Sequence, residues 1–385
     1  MSHSKRIIRS VALLLASLAF IAWPPARARL QSPQSDQQNA TRPRRAGETA
    51  PAQTRPPAKG TKEGEQTVDE DEVVRIDTDL TNLLFTAIDK DKRYVTTLQQ
   101  TDVRVLEDGT PQEIFRFERQ TDMPLSLAIL IDTSASQERT LPEEKEAASA
   151  FIDNVLRENK DEAAVISFTG EATLEQGLTG SASRLRRAIE QVRFVPPSGY
   201  VGGGVVVGGT PPISGTNQGL AGSTAIWDAV WVAADEILSQ TPERTRRAII
   251  LLTDGEDTSS RLKPSEAIDR VIKSDAVVYS IGIGDRFEFG IDEGALRKLS
   301  EKTGGRAFFP RSEADLRSAF RQIQEELRSQ YLIAYSPTNK KRDGSYRQVQ
   351  IEIVNPELRK QKLRLVYRQG YFAKSSISAS TAPTK

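Results

Sequence analysis

The sequence predicts an α/β fold whose sheet is doubly wound and mainly parallel, Rossmann-like, with β segments before and after it. Three observations carry this. Residues 124 to about 330 alternate short apolar runs with amphipathic helical patterns, the order that builds a parallel sheet. Two of those runs, Leu125–Asp132 and Arg247–Thr253, are almost continuous in Leu, Ile and Ala, as strands covered on both faces are, and each ends at a carboxylate, Asp132 or Asp254. Shorter β-like pieces bounded by turn residues flank this region on both sides.

The amino end reads as a targeting segment. Lys5, Arg6 and Arg9 precede an apolar stretch from Val11 to Ala22, and Ala26 and Ala28 occupy the small positions before a cleavage point. The stretch falls short of the roughly 20 apolar residues a membrane span needs, so residues 1–28 are expected to be a signal peptide removed before Arg29, an uncleaved anchor being the alternative. The expected location is therefore secreted or periplasmic. Residues 29–72 are rich in Gln, Pro, Arg, Thr and Glu and are expected to be a disordered linker ending in the solvated acidic run Asp69–Glu72.

Residues 73–120 read as an Ig-like β segment, with strands at Val73–Ile76, Leu83–Ile88, Val103–Leu106 and Glu113–Phe117. The charged Asp89–Lys92 stretch and the turn Glu107-Asp-Gly109 punctuate them. Within 121–330, strands are predicted near Leu125–Asp132, Ala163–Phe168, Arg247–Thr253, Ala276–Ile283 and Ala307–Phe309. The helices are predicted over Pro142–Arg157, Ser183–Val192, Ala225–Ser239, Pro264–Ser274, Asp292–Thr303 and Glu313–Arg328. Pro264 marks one helix start and the Ser312-Glu-Ala-Asp315 capping pattern another. Residues 331–373 return to β character, with strands at Tyr331–Tyr335, Gln348–Val354 and Lys362–Tyr367 that are expected to pack with the amino-terminal β segment. Residues 374–385, rich in Ser, Ala and Thr, form an expected frayed tail.

Composition excludes several chemistries. The 385 residues contain no Cys, which removes disulfides, zinc thiolates and a thiol nucleophile. The single histidine, His3, lies in the expected signal, so the mature chain has no imidazole for a Ser–His–Asp triad or a histidine zinc site. Lys and Arg number 53 against 52 Asp and Glu; losing residues 1–28 removes four basic residues and no acidic one. A nucleic-acid partner is not expected from that balance.

The chemistry that remains is oxygen chemistry. Asp132, Ser134 and Ser136 lie at alternate positions in the turn after an apolar strand, Thr224 opens a helix, and Asp254 ends a second strand. Open α/β sheets bind ligands at the carboxyl ends of their strands, and right-handed crossovers bring those ends to one rim. Five oxygen side chains without nitrogen or sulfur suit a hard divalent cation. The plainer alternative is that the hydroxyls only cap turns and helices.

This set resembles the metal-ion-dependent adhesion site of von Willebrand factor A domains, matching its D-x-S-x-S, T and D elements at Asp132, Ser134, Ser136, Thr224 and Asp254. The stretch Val105-Leu-Glu-Asp-Gly-Thr-Pro-Gln112 also resembles one in secreted bacterial proteins with a related domain. Together the resemblance covers about residues 73–373. It implies magnesium, or manganese or calcium, held directly by Ser134, Ser136 and Thr224, with Asp132 and Asp254 acting through water or as switching ligands. It further implies a protein partner whose acidic residue completes the metal shell, and no catalytic residues.

Two other classes stand beside this reading. A metal-independent envelope scaffold would use the same fold without the ion. A magnesium-dependent hydrolase of the kind that begins with an aspartate at a strand end needs a second aspartate two residues on as general acid, and Ser134 stands there. Asp228 reads either as a residue orienting the site or as a helix cap, and Glu256 and Asp257 either as charges that tune the ion's field or, more simply, as surface loop polarity. The Gly-rich insert Ser198–Gly222 has no lysine for a phosphate loop; it reads as a partner-specificity loop or as a tolerated insertion. The oligomeric state is left open.

Overall fold

The computed structural model describes residues 80–119, 122–196, 200–202, 205–206, 223–284 and 290–375. The expected signal peptide, linker, first strand (Val73–Ile76), most of the Gly-rich insert and residues 376–385 lie outside the described residues.

The amino-terminal β segment comprises β1 (Thr81–Ile88), β2 (Val103–Glu107), β3 (Thr110–Gln112) and β4 (Ile114–Arg119). Asp108 and Gly109 form the two-residue link between β2 and β3, with φ of 48° and 80°. An Asp-Gly pair is the usual answer to a tight hairpin needing positive φ at both central positions.

The chain then builds the central α/β layer. Its elements are β5 (Leu125–Asp132), α1 (Leu141–Val155), β6 (Glu162–Phe168), β7 (Ala172–Thr179) and α2 (Ala182–Gln191). A small hairpin, β8 (Tyr200–Gly202) and β9 (Val205–Val206), follows, then α3 (Ile226–Val232), β10 (Arg246–Thr253), α4 (Pro264–Lys273) and β11 (Ala276–Gly282). The layer closes with α5 (Glu293–Thr303), β12 (Ala307–Phe308) and α6 (Glu313–Arg328). The six strands run in the order β12-β11-β10-β5-β6-β7; all neighbours are parallel except β6 and β7.

Strand parity explains the two faces. Leu127, Ile129 and Ile131 of β5 bury against α1, α2 and α6, with Ile250 and Leu252 beside them. Ala128 and Leu130 bury against α3, α4 and α5, with Ile249 and Leu251. Every residue of β5 is buried, which accounts for a sequence with no polar alternation.

Two local differences from the sequence reading stand out. The antiparallel β7 went unpredicted because its Ala172–Thr179 sequence is half-exposed along its length and carries neither an apolar run nor a clean alternation. The helix predicted over Ala225–Ser239 is α-helical only over α3; it widens to a π turn at Ala233–Ile237 and ends in a 3₁₀ turn at Leu238–Gln240. Pro264 opens α4, and the Ser312 hydroxyl accepts from the Asp315 amide at 3.2 Å to cap α6.

The carboxy-terminal segment contributes β13 (Tyr331–Tyr335), β14 (Tyr346–Ile353), the one-turn α7 (Pro356–Lys360), β15 (Arg364–Tyr367) and β16 (Gly370–Phe372). These strands interleave with the amino-terminal ones in two four-stranded sheets, β15-β1-β13-β4 and β16-β14-β2-β3. A shared core of Leu83, Phe85, Val105, Ile333, Val349 and Ile351 lies between them. Inside it, the Glu107 carboxylate accepts from Tyr335 Oη at 2.9 Å and Tyr371 Oη at 2.8 Å, and pairs with Arg347 at 3.2 Å.

Candidate metal centre

The carboxyl ends of β5 and β10 place Asp132 and Asp254 side by side. Leu252 pairs with Ile131, so the next residues, Thr253 and Asp132, emerge together, and the Thr253 hydroxyl donates to Asp132 Oδ2 at 2.6 Å. The other oxygen, Asp132 Oδ1, accepts the Ser134 amide at 2.9 Å. That contact closes the turn and carries the chain toward Ser136. The Ser134 and Ser136 hydroxyls lie 3.1 Å apart.

Asp254 follows its strand directly and turns through Gly255, whose φ is +88° and whose missing Cβ would stand 3.0 Å from Leu296 and 3.1 Å from the Asp292 carbonyl. The position therefore calls for glycine on both conformational and steric grounds. Asp254 Oδ1 accepts the Glu256 amide at 3.0 Å.

Thr224 is buried on the same rim, held by its backbone. Its amide donates to Thr258 Oγ1 at 2.8 Å, its carbonyl accepts from the Thr258 and Ser259 amides, and the Ala225 amide reaches the Thr169 carbonyl after β6 at 2.7 Å. The structure thus ties all five sequence-predicted oxygen residues to the loops at one end of the sheet: 132–137, 224–225 and 254–260.

The electrostatics of this rim are unusual. Asp132 is fully buried, and burial followed by the nearby charge of Asp254 pushes its pKa up to about 7, against the hydrogen bonds from Thr253 and Ser134. Burial also raises Asp254 above the ordinary carboxylate range, against hydrogen bonds from Ser136 and Gln137. Among the described residues, no Lys or Arg forms an ion pair with either. A cation between them would supply the missing positive charge, so the donor set fits a hard metal ion. Among the described residues no three His, Cys, Asp or Glu side chains cluster as a metal site; any ion here depends on hydroxyls beside the two aspartates.

Several supporting residues were not legible as such. Gln137, buried beside Ser136, donates to the Ile283 carbonyl at 3.2 Å and accepts from Thr140 Oγ1 at 2.9 Å, locking the turn to the end of β11, two strands away. Asp257 is not simple surface polarity: its Oδ1 accepts the Ile226 amide at 2.8 Å, and Ser260 Oγ accepts the Trp227 amide at 3.0 Å, so this loop caps α3 from outside. Asp228 caps nothing in its own helix. It accepts the Arg261 and Leu262 amides at 3.0–3.1 Å and so fastens the same loop. Glu144 of α1 is fully buried, and neither carboxylate oxygen makes a hydrogen bond of good geometry, since the nearby Thr140 hydroxyl donates to Gln137; burial pushes its pKa up to about 8, against the Thr140 hydroxyl, with Asp132 and Asp254 adding to the shift. The faint signal for it was an acidic residue on the apolar face of α1, between Leu141 and Ala148.

A mainly parallel sheet covered by helices on both faces, with an oxygen-rich rim at its strand ends, defines the class. Models of the von Willebrand factor type A domain match residues 127–256 and 213–322, so the chain contains a von Willebrand factor type A domain in this region. No curated protein matches the chain. Among solved structures it is similar to proximal thread matrix protein 1 from the mussel byssus, at 20% identity and a TM-score of 0.43 over 58% of this chain and 51% of that one. A form of that mussel protein with a zinc-occupied MIDAS motif gives 21% identity and a TM-score of 0.41 over 58% of this chain and 50% of that one. A von Willebrand factor type A protein from Catenulispora acidiphila gives 16% and 0.41 over 69% and 75% of the respective chains. The chain spans about half the length of the mussel protein.

Proposed function

We propose that this is an exported protein that binds a protein partner through a divalent cation, magnesium first and manganese or calcium as substitutes, held at the rim of its central sheet. In this reading Ser134, Ser136 and Thr224 offer hydroxyl oxygens to the ion while Asp132 and Asp254 supply negative charge, directly or through water. Neutral hydroxyls leave the ion underneutralised, so an acidic side chain of the partner completes its shell. The chain acts as a binding module and not as an enzyme. Export rests on the sequence of residues 1–28; among the described residues no helix is long and apolar enough to cross a membrane.

The observation that carries the proposal is the pair of buried aspartates without a cationic side chain, beside two hydroxyls 3.1 Å apart. Two buried carboxylates are costly unless protonated or bridged by a cation. A pulldown from envelope extract tests it: partner recovery should require magnesium, fail in chelator, and fail with Asp254→Ala. Recovery that ignores both chelator and the substitution would favour the metal-independent scaffold. Thr224→Ala should keep much of the metal affinity, since water can replace one hydroxyl, and lower partner recovery about 10- to 100-fold.

A further inference from the structure

The two flanking sheets are left open along one side. β15 ends its sheet and pairs only with β1, and among the described residues the backbone of Arg364–Tyr367 makes no hydrogen bond outside that ladder. Antiparallel pairing uses the amide and carbonyl of every second residue, so the alternate residues of β15 point theirs away from β1. In the facing sheet, β16 pairs with β14 only over Tyr346–Gln348. Beyond it lies a cleft of about 350 Å³ walled by Ile351, Ile353, Leu358, Leu363, Leu365 and Tyr367. A second cleft, of about 200 Å³, runs along Arg364–Tyr367 on the side of Glu301 and Gly305, where α5 ends.

The side chains of this edge alternate between the two clefts. Leu363, Leu365 and Tyr367 pack toward the shared core, whereas Arg364 lines only the second cleft. A strand added beside β15 would inherit that parity, turning one set of its side chains into the apolar cleft and the other outward past Arg364.

The free charges here are of one sign. Lys362 and Arg364 are exposed, and among the described residues neither side chain has an ion pair or hydrogen bond. Arg359 beside them gives its Nε to the Ile353 carbonyl at 2.6 Å. The acids nearest in sequence are already committed, Glu352 to Arg104 and Glu357 to Lys360. Glu301 is the one acid lining either cleft, and Lys298 and Lys302 flank it in α5. Like charges on adjacent strands repel, so a second copy laying its own β15 here would set cation against cation.

We infer that the free edge of β15 takes up an extended acidic segment of a partner protein as an added strand, its aliphatic side chains entering the apolar cleft and its carboxylates meeting Lys362 and Arg364. Nucleic acid finds no stacking platform, because Tyr367, the one ring lining either cleft, packs toward the core and its hydroxyl accepts the Ile351 amide at 3.1 Å. A lipid surface would leave the unpaired backbone groups of β15 unsatisfied.

This edge stands apart from the metal rim. α5 begins at the rim, where the Asp292 amide meets the Asp254 carbonyl at 2.9 Å, and ends beside β15 about 15 Å away at about 1.5 Å per residue. The inference therefore stands or falls separately from the metal-dependent reading. The test adds a fluorescein-labelled short peptide alternating Val and Glu to the mature chain in EDTA, with anisotropy reporting binding and hydrogen exchange reporting its place. Saturable binding is expected, unchanged by Asp132→Ala, with slowed exchange at Arg364–Tyr367. It should weaken about tenfold or more in Lys362→Glu/Arg364→Glu, an exposed double substitution checked by circular dichroism. Of two peptides N-methylated at odd or at even residues, one should lose binding, since it keeps every charge but not the donors that face β15. No binding, equal binding by the charge-reversed variant, undiminished binding of both N-methylated peptides, or protection confined to other segments would overturn the inference. So would a dimer of the chain that excludes the peptide, or tighter binding of phosphatidylglycerol vesicles or single-stranded oligonucleotide.

Discussion

Glu107 and Asp132 are both buried carboxylates at strand ends, and the chain treats them in opposite ways. Glu107, between the two flanking sheets, has a guanidinium and two tyrosine hydroxyls of its own chain. Glu326 is treated likewise, pairing with Arg306 at 3.1 Å and accepting from Tyr279 at 3.2 Å. Asp132 has hydrogen bonds but, among the described residues, no paired cation, and the charge that acts on it is that of another carboxylate, Asp254. The lesson is one of self-sufficiency. Away from the rim, in the flanking sheets at Glu107 and under the central sheet at Glu326, the chain closes its own electrostatics, whereas the rim leaves them open, which is the physical basis for proposing that binding occurs there.

The largest effect should come from breaking the closed side. Arg347→Ala leaves Glu107 buried without its cation, and loss of one partner from a buried pair costs about 3–5 kcal/mol. Denaturant unfolding of the full chain checks this. A loss under about 1 kcal/mol would mean that the tyrosines alone satisfy Glu107 and that the contrast with the rim is weaker than drawn.

On the open side, pH should expose the difference. Asp132, at about 7, and Glu144, at about 8, bind their protons more tightly in the folded chain than at the ordinary value near 4 in the unfolded one. Their contribution to metal-free stability is therefore complete below about pH 4 and lost as pH rises through about 7 to 8. Magnesium competes with the Asp132 proton. The thermal midpoint of the magnesium-loaded protein should thus pull away from that of the metal-free protein between about pH 5 and 8. Parallel midpoints across that range would contradict an ion at Asp132 and Asp254.

A smaller effect sharpens the role of Glu144. Its oxygens make no hydrogen bond of good geometry and only the Thr140 hydroxyl stands near, so Glu144→Met should stabilise the metal-free chain by about 1–3 kcal/mol and leave metal affinity within about threefold. A tenfold loss of magnesium affinity would instead make it a residue that positions the site.

Much of the central fold was legible because its signals are local. β5 and β10 are apolar throughout since both faces are covered, and the Ser312 cap and Pro264 mark helix starts at the residues the structure shows. Asp132, Ser134 and Ser136 stood out as alternate positions after a strand, whereas Thr224 and Asp254 showed only as the opening of a helix and the end of a second strand. What was not legible depends on long-range contact. Nothing local marks Asp257 as the cap of a helix that starts 31 residues before it, or Thr253 as the donor to a carboxylate 121 residues away. The interleaving of β1 between β13 and β15 likewise rests on pairs about 250 to 280 residues apart in sequence, beyond any periodicity. The π turn after α3 has no Gly or Pro to announce it.

The central claim is that the open rim is completed by a divalent cation. Calorimetric titration of magnesium and manganese into the metal-free mature chain and into Asp132→Ala, with circular dichroism confirming that both are folded, addresses it directly. The account predicts saturable heat in the wild type, proton release that grows as pH is lowered toward about 7, and loss of at least about tenfold in affinity in the variant. No heat or thermal shift with millimolar-range metal, or an Asp132→Ala chain that binds as the wild type does, would contradict it.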